Sequence, residues 1–213
     1  SMSFWDFETV NDTPPQEVVT SQGGGDLVFP DGTWVTVSLD EAKWNSFNGG
    51  ERHISLRASI LAPQEYEGVK IANRKLFAKL WIVDGNKEQK KDKADGYKKK
   101  HQTLLSTIDA HTGKALIKKA LAANDPNWEP TDEDLAACLT NKPFAWRIAT
   151  MKMQDGKYIN FLSGIGAPSR AVEITGKLIN QERDASTPGA SGGGVDRVAN
   201  GTARYDVDDE IPF

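Results

Sequence analysis

Between Trp34 and Ile82 the side chains keep changing sides, a pattern that no helix can bury on one face. Val35, Val37 and Leu39 alternate with Trp34, Thr36 and Ser38. Ile54, Leu56, Ala58 and Ile60 alternate with His53, Ser55, Arg57 and Ser59. Leu76, Ala78, Leu80 and Ile82 alternate with Lys75, Phe77, Lys79 and Trp81. Successive Cβ atoms of a strand point to opposite faces, so period two marks half-buried strands. Asp31-Gly32 opens the first strand and Asn48-Gly49-Gly50 turns it into the second, which Pro63 stops. The third is expected to run from Val69 to Val83, with Asp84-Gly85-Asn86 as the turn after it.

The period then changes. From Lys87 to Lys100 the chain holds seven lysines against three acids, read as a basic loop. Leu104, Leu105, Ile108, Ala115, Leu116 and Leu121 fit helical faces, with a break near Gly113. Thr131 suits an N-cap, and Asp134, three residues on, resembles the acid of a capping box. Asn141-Lys142-Pro143 ends that helix. Strands return at Phe144–Gln154 and Tyr158–Gly164, joined by the Asp155-Gly156 turn. Ala171–Ile179 is left as a last strand or a helical turn.

Five strands with a helix between the third and fourth outline an OB-fold, a small barrel that binds oligonucleotides. A sandwich with a helical insert is the competing outline. The expected architecture is mainly β with a helical insert: an OB-fold-like five-stranded barrel over residues 31–180, its basic loop and helical insert at 85–141. Residues 1–30 form an N-terminal arm that docks through Phe4, Trp5 and Phe7 and ends in Gly23-Gly24-Gly25. Ser1 before Met2 reads as a cloning remnant. Residues 181–205 have the Ser, Gly, Ala, Thr and Pro content of a disordered linker, with ends roughly 25–30 Å apart.

Charge makes sense only when divided. Residues 181–213 carry seven acids and three bases, and residues 1–180 carry 23 of each. A neutral body can still present a basic face. A binder of single strands needs cations for phosphates and flat rings for bases. Lys75, Phe77, Lys79 and Trp81 supply both from one side of one strand, and core burial of the two rings weighs evenly against that. Arg57 and Arg147 lie on neighbouring strands, Lys152 and Tyr158 flank the last hairpin, and Lys90, Lys91 and Lys98 belong to the basic loop. Trp34 and Trp146 read as core, and Trp44 as a possible stacking platform.

Catalysis finds little in this sequence. His53, His101 and His111 lack metal-ligand spacing with one another or with Cys138, the single cysteine. Gly164-x-Gly166 lacks the rest of a dinucleotide fingerprint, and no P-loop occurs. The expectation is a protein without catalytic activity, metal or cofactor. Cys138 is expected to be buried and inert, in a reducing compartment, the cytoplasm. No apolar run reaches membrane-spanning length.

The chain closes on Asp206-Val207-Asp208-Asp209-Glu210-Ile211-Pro212-Phe213. Three acids followed by Ile-Pro-Phe at a C-terminus arise by chance on the order of once in a million chains. Phe213 joins an aromatic ring to a terminal carboxylate, a combination that fits an apolar pocket with a basic rim. Pro212 limits the entropy lost on docking. This segment resembles the acidic tip of bacterial single-stranded DNA-binding proteins, which end in aspartates followed by Ile-Pro-Phe. The resemblance implies a peptide, Asp206, Asp208, Asp209, Glu210, Ile211, Pro212 and Phe213, that recruits replication, recombination and repair enzymes. A second likeness lies in Pro63-Gln64-Glu65-Tyr66-Glu67-Gly68-Val69-Lys70-Ile71, Leu76-Phe77, Lys142-Pro143-Phe144 and Tyr158-Ile159-Asn160. Together these look like a family of uncharacterised phage proteins, and imply a phage-encoded single-strand-binding or recombination-accessory protein.

The expected function is non-catalytic binding and protection of single-stranded DNA, with partner recruitment by the tip. Two alternatives are an interaction protein that mimics the tip without binding DNA, and a single-strand annealing protein. A homo-oligomer is compatible with each.

Overall fold

The computed structural model describes residues 4–7, 27–47, 51–83 and 91–181. The linker beyond Gln181, the acidic tip Asp206–Phe213, Lys90 and the side chain of Lys91 lie outside the described residues.

The elements follow in the order β1 Leu27–Val28, β2 Thr33–Phe47, β3 Glu51–Ala62, β4 Glu65–Tyr66, β5 Val69–Lys70 and β6 Lys75–Leu80. Then come α1 Lys91–His111, α2 Ala115–Ala123, α3 Asp132–Leu139, β7 Pro143–Lys152, β8 Tyr158–Gly166 and β9 Ile179–Asn180. The fold is mainly β, with three helices between the third and fourth strands of its principal sheet. That sheet is antiparallel throughout, in the order β6-β3-β2-β7-β8. Strands β2, β3 and β6 follow one another, and β7 returns through the helices to lie beside β2. This is a Greek key, extended by the β7–β8 hairpin.

The alternation read from the sequence sets the faces. Val35, Val37 and Leu39 of β2, Ile54, Leu56, Ala58 and Ile60 of β3, and Leu76, Ala78 and Leu80 of β6 all turn inward. They meet Phe144, Trp146 and Ile148 of β7 and Leu162 and Ile165 of β8. Leu104, Leu105 and Ile108 of α1 and Leu135, Cys138 and Leu139 of α3 close the same core. Each buried valine, leucine, isoleucine or phenylalanine among them contributes about 1.5–3 kcal/mol by leaving water. The N-terminal segment also joins: Trp5 is buried, and Phe4 sets its ring edge-on to Trp44 and Trp128 at 6.1 and 5.8 Å.

Beyond shifts of one or two residues at the ends of β7 and β8, three boundaries differ from the sequence reading. The expected strand from Val69 to Val83 is broken after β5. Asn73 takes a left-handed backbone, φ 67°, and its N–H donates to Ile60 O at 2.8 Å, so β6 starts afresh at Lys75. The lysine-rich stretch is helical from Lys91 onward, because Tyr97, His101, Leu104 and Ile108 fall on one buried stripe at spacings of three and four. The body also starts earlier than residue 31, since β1 pairs with β9 in a separate two-stranded ribbon.

The expected five-stranded barrel is not closed. Among the described residues no ladder joins β6 to β8, although the two edges approach each other and α1 lies against both. A helix side chain replaces the strand partner at one edge. The Trp81 N–H, just past β6, donates to Nδ1 of His101 at 2.6 Å.

Helical ends are fixed by side chains. Thr131 accepts from the Asp134 N–H at 3.1 Å, and Asp134 accepts from the Thr131 N–H at 3.0 Å, completing the expected capping box. Asp109 of α1 is fully buried and accepts from the N–H groups of Leu116 and Ile117 at 2.9 and 3.1 Å. It supplies the acceptor that the first turn of α2 lacks at Lys114.

Candidate nucleic-acid interface

The outer surface of β2, β3 and β6 is built by strand register. Ser59 stands beside Lys75, Arg57 beside Phe77, and Ser55 beside Lys79. On the other side, Glu41 stands beside Arg57 and Lys43 beside Ser55. Directly opposed residues on one face have Cβ atoms about 4.5–5.5 Å apart. Arg57, Lys75, Phe77 and Lys79 are therefore neighbours, as their period predicts. Phe77 is half-buried, with Arg57 exposed next to it. Burial lowers the Lys79 pKa from its ordinary value.

The cations are not alone on this surface. The β2–β3 register slips between Leu39 and Glu41, leaving Asp40 as an extra residue in a bulge. Its carboxylate accepts from Ser59 Oγ at 2.7 and 2.9 Å and from Lys75 Nζ at 2.9 Å, and lies 3.7 Å from Arg57 Nε. Lys75 Nζ also contacts Ser59 Oγ. Burial pushes the Asp40 carboxyl up, but the hydrogen bonds of Lys75 and Ser59 and the charges of Lys75 and Arg57 outweigh it. Its pKa ends below the ordinary value. Lys43 pairs with Glu41 at 3.3 Å.

Trp81 is placed differently from the other three members of its row. It lies past the end of β6, is only 8% exposed, and packs its ring 4.6 Å from that of His53. His53 is buried with no hydrogen-bond partner at either ring nitrogen, and the same holds for Nε2 of His101. Burial, and then the charge of Lys79, lower the His53 pKa to about 4. Burial, then Lys100 and His53, lower that of His101 to about 3. Tyr97 sets its ring 5.6 Å from His101 and packs on Phe161 and Ala149. These rings fasten α1 to the sheet.

The remaining expected residues are dispersed. Arg147 stands beside Trp34 across β7 and β2 and donates to Ser163 Oγ at 2.8 Å. Lys152 and Tyr158 oppose each other at the tip of the β7–β8 hairpin, with Nζ 5.8 Å from the ring. Alternation puts them on the side of Thr150 and Asn160, which bond to the Phe29 backbone. Lys98 is half-buried on α1, next to Tyr97. Trp146 is core, as expected. Trp34 is buried beneath the Arg170 guanidinium, 4.0 Å from the ring centre. Trp44 is covered rather than open: Nε1 donates to Pro130 O at 2.8 Å, and Arg52 lies 4.8 Å over its ring.

Sequence reasoning missed Lys43 and Asp40 as members of the surface, whereas Ser59 shares the face of Arg57 by alternation. Lys43 follows from alternation once the bulge is known. Asp40 has no signal of its own, because a bulge is a property of two strands together. Among the described residues no three His, Cys, Asp or Glu side chains gather closely enough to hold a metal ion, and no helix is long and apolar enough to cross a membrane. Comparison with protein families, curated proteins and solved structures finds no match.

Proposed function

We propose that the chain is a non-catalytic single-stranded DNA-binding protein whose acidic tip recruits partner enzymes, with an OB-type body left open along one seam. The strand order supports the OB reading. The first long strand, β2, pairs with the second and the fourth, the helices lie between third and fourth, and the fifth pairs with the fourth. Among the described residues the pairing of third with fifth is not made, and OB barrels are partly open.

One observation carries the function. Arg57, Lys75, Phe77 and Lys79 sit side by side on the outer surface of the second and third strands, the surface that OB-folds use for oligonucleotides. Rings stack on bases with little sequence preference, and lysines and arginines neutralise phosphates. The recruiting role of Asp206–Phe213 rests on its sequence alone.

The reading is tested with a labelled dT oligomer and a duplex of equal length, each titrated at two salt concentrations. The single strand is expected to bind more tightly, with log affinity falling by about 0.7 per decade of salt for each neutralised phosphate. Phe77→Ala should weaken binding by about 1–3 kcal/mol. A folded protein that ignores poly-dT at low ionic strength would refute the DNA-binding role and favour the tip mimic. Asp40 and Glu41, already paired with cations of the surface, are the observation on that reading's side.

A further inference from the structure

Three donors of the outer surface converge on a single anionic atom. Oδ2 of Asp40 lies 2.7 Å from Ser59 Oγ, 2.9 Å from Lys75 Nζ and 3.7 Å from Arg57 Nε. Asp40 is not placed there by ordinary strand alternation. The ladder passes from Leu39 opposite Ala58 to Glu41 opposite Arg57, and the bulge aims the intervening carboxylate across the surface at β3 and β6. A lysine, an arginine and a hydroxyl around one oxygen are the donor set that also receives a phosphate oxygen.

The cluster can be reached from solvent: the side chains of Arg57 and Lys75 are 43% and 44% exposed, and that of Asp40 is 24% exposed. Phe77 stands directly beside Arg57. A ring for a base and a cradle for the adjoining phosphate therefore lie one strand pair apart.

We propose that Asp40 is an internal stand-in for a backbone phosphate, holding Lys75, Arg57 and Ser59 in position and yielding them to an incoming single strand. The inference rests on the DNA-binding reading and adds a determinant of affinity to it. While Asp40 occupies the cradle, its charge opposes the phosphate and part of the cationic attraction is spent internally. Exposed ion pairs are worth about 0.2–1 kcal/mol each, so the opposition is modest and a strand can overcome it. A carboxylate that merely pins the bulge would contribute to stability and leave DNA affinity alone.

The test uses the full chain, a fluorescein-labelled dT oligomer and a salt series. Asp40→Asn is expected to tighten binding about two- to tenfold at low salt. Its log–log salt slope should steepen by about 0.7 for each phosphate newly neutralised. Asp40→Glu, which keeps the charge, should stay near the parent, and Asp40→Ser should reproduce the gain if Asn disturbs the bulge. Adding Lys75→Met to Asp40→Asn should remove most of the gain. If the parent binds and folded Asp40→Asn and Asp40→Ser bind no better, the stand-in role is wrong and the DNA-binding reading survives. If neither parent nor variants bind dT at low salt, the DNA-binding reading falls and takes this inference with it.

Discussion

His101 joins α1 to the sheet through one hydrogen bond, accepted from the Trp81 N–H. That bond requires an unprotonated Nδ1, and His53 nearby is also held neutral by burial. In the unfolded chain both rings titrate near 6.5, whereas in the fold they resist protonation down to about 4 and 3. Between these limits the unfolded state binds more protons, so acid favours it. Stability should be complete above about pH 6.5 and fall as pH drops toward 4, by up to ~1.4 kcal/mol per pH unit for each histidine. Thermal melts followed by circular dichroism across that range measure the slope. His53→Leu should flatten part of it without loss of stability at pH 7, because neither ring nitrogen of His53 has a hydrogen bond to lose. A slope unchanged by His53→Leu would assign the acid sensitivity elsewhere.

The helices depend on a few polar contacts that no periodicity reveals. Asp109 lies within α1, yet its carboxylate closes the first turn of α2. Burial raises its pKa, against the lowering effect of the two backbone N–H groups and of Lys142 and Lys118. Asp109→Ala would leave buried donors without an acceptor, at a cost of about 1–3 kcal/mol. Urea denaturation should show that loss, and under the proposed function dT affinity should stay unchanged. The capping box of α3, by contrast, was readable from Thr131 and Asp134 alone, because its partners lie three residues apart. Strands show the same division. Alternation identified the inward faces of β2, β3 and β6, but not the break at Asn73 or the bulge at Asp40. Both depend on what a neighbouring strand offers to the backbone.

The chain as a whole combines a neutral, folded body with an acidic end. The order of strands and helices was readable because it follows from successive changes of period. Closure was not: whether β6 and β8 pair depends on where α1 settles, and α1 begins within a lysine run that reads as loop. The candidate surface was half readable. Arg57, Lys75, Phe77 and Lys79 share a face by alternation, whereas Trp81 is drawn into the core by His53 and Arg147, Lys152 and Tyr158 go to β7 and β8. Under the proposed function, removal of residues 206–213 should leave or raise affinity for dT, since an acidic segment on the same chain would compete with DNA for the cations at high effective concentration. On the same reading, that deletion should abolish capture of replication and repair enzymes in pull-downs. Loss of DNA binding on truncation would contradict that division of roles.

Cys138 gives the molecule a built-in reporter. It is the one thiol in the sequence, it is 1% exposed, and its partners are the helices and strands of the core. A chromogenic disulfide reagent can react only while the core around Cys138 is open, so the labelling rate reports the population of that open form. An oligonucleotide bound to the closed form alone would slow that rate in proportion to its occupancy, revealing the opening without any introduced probe.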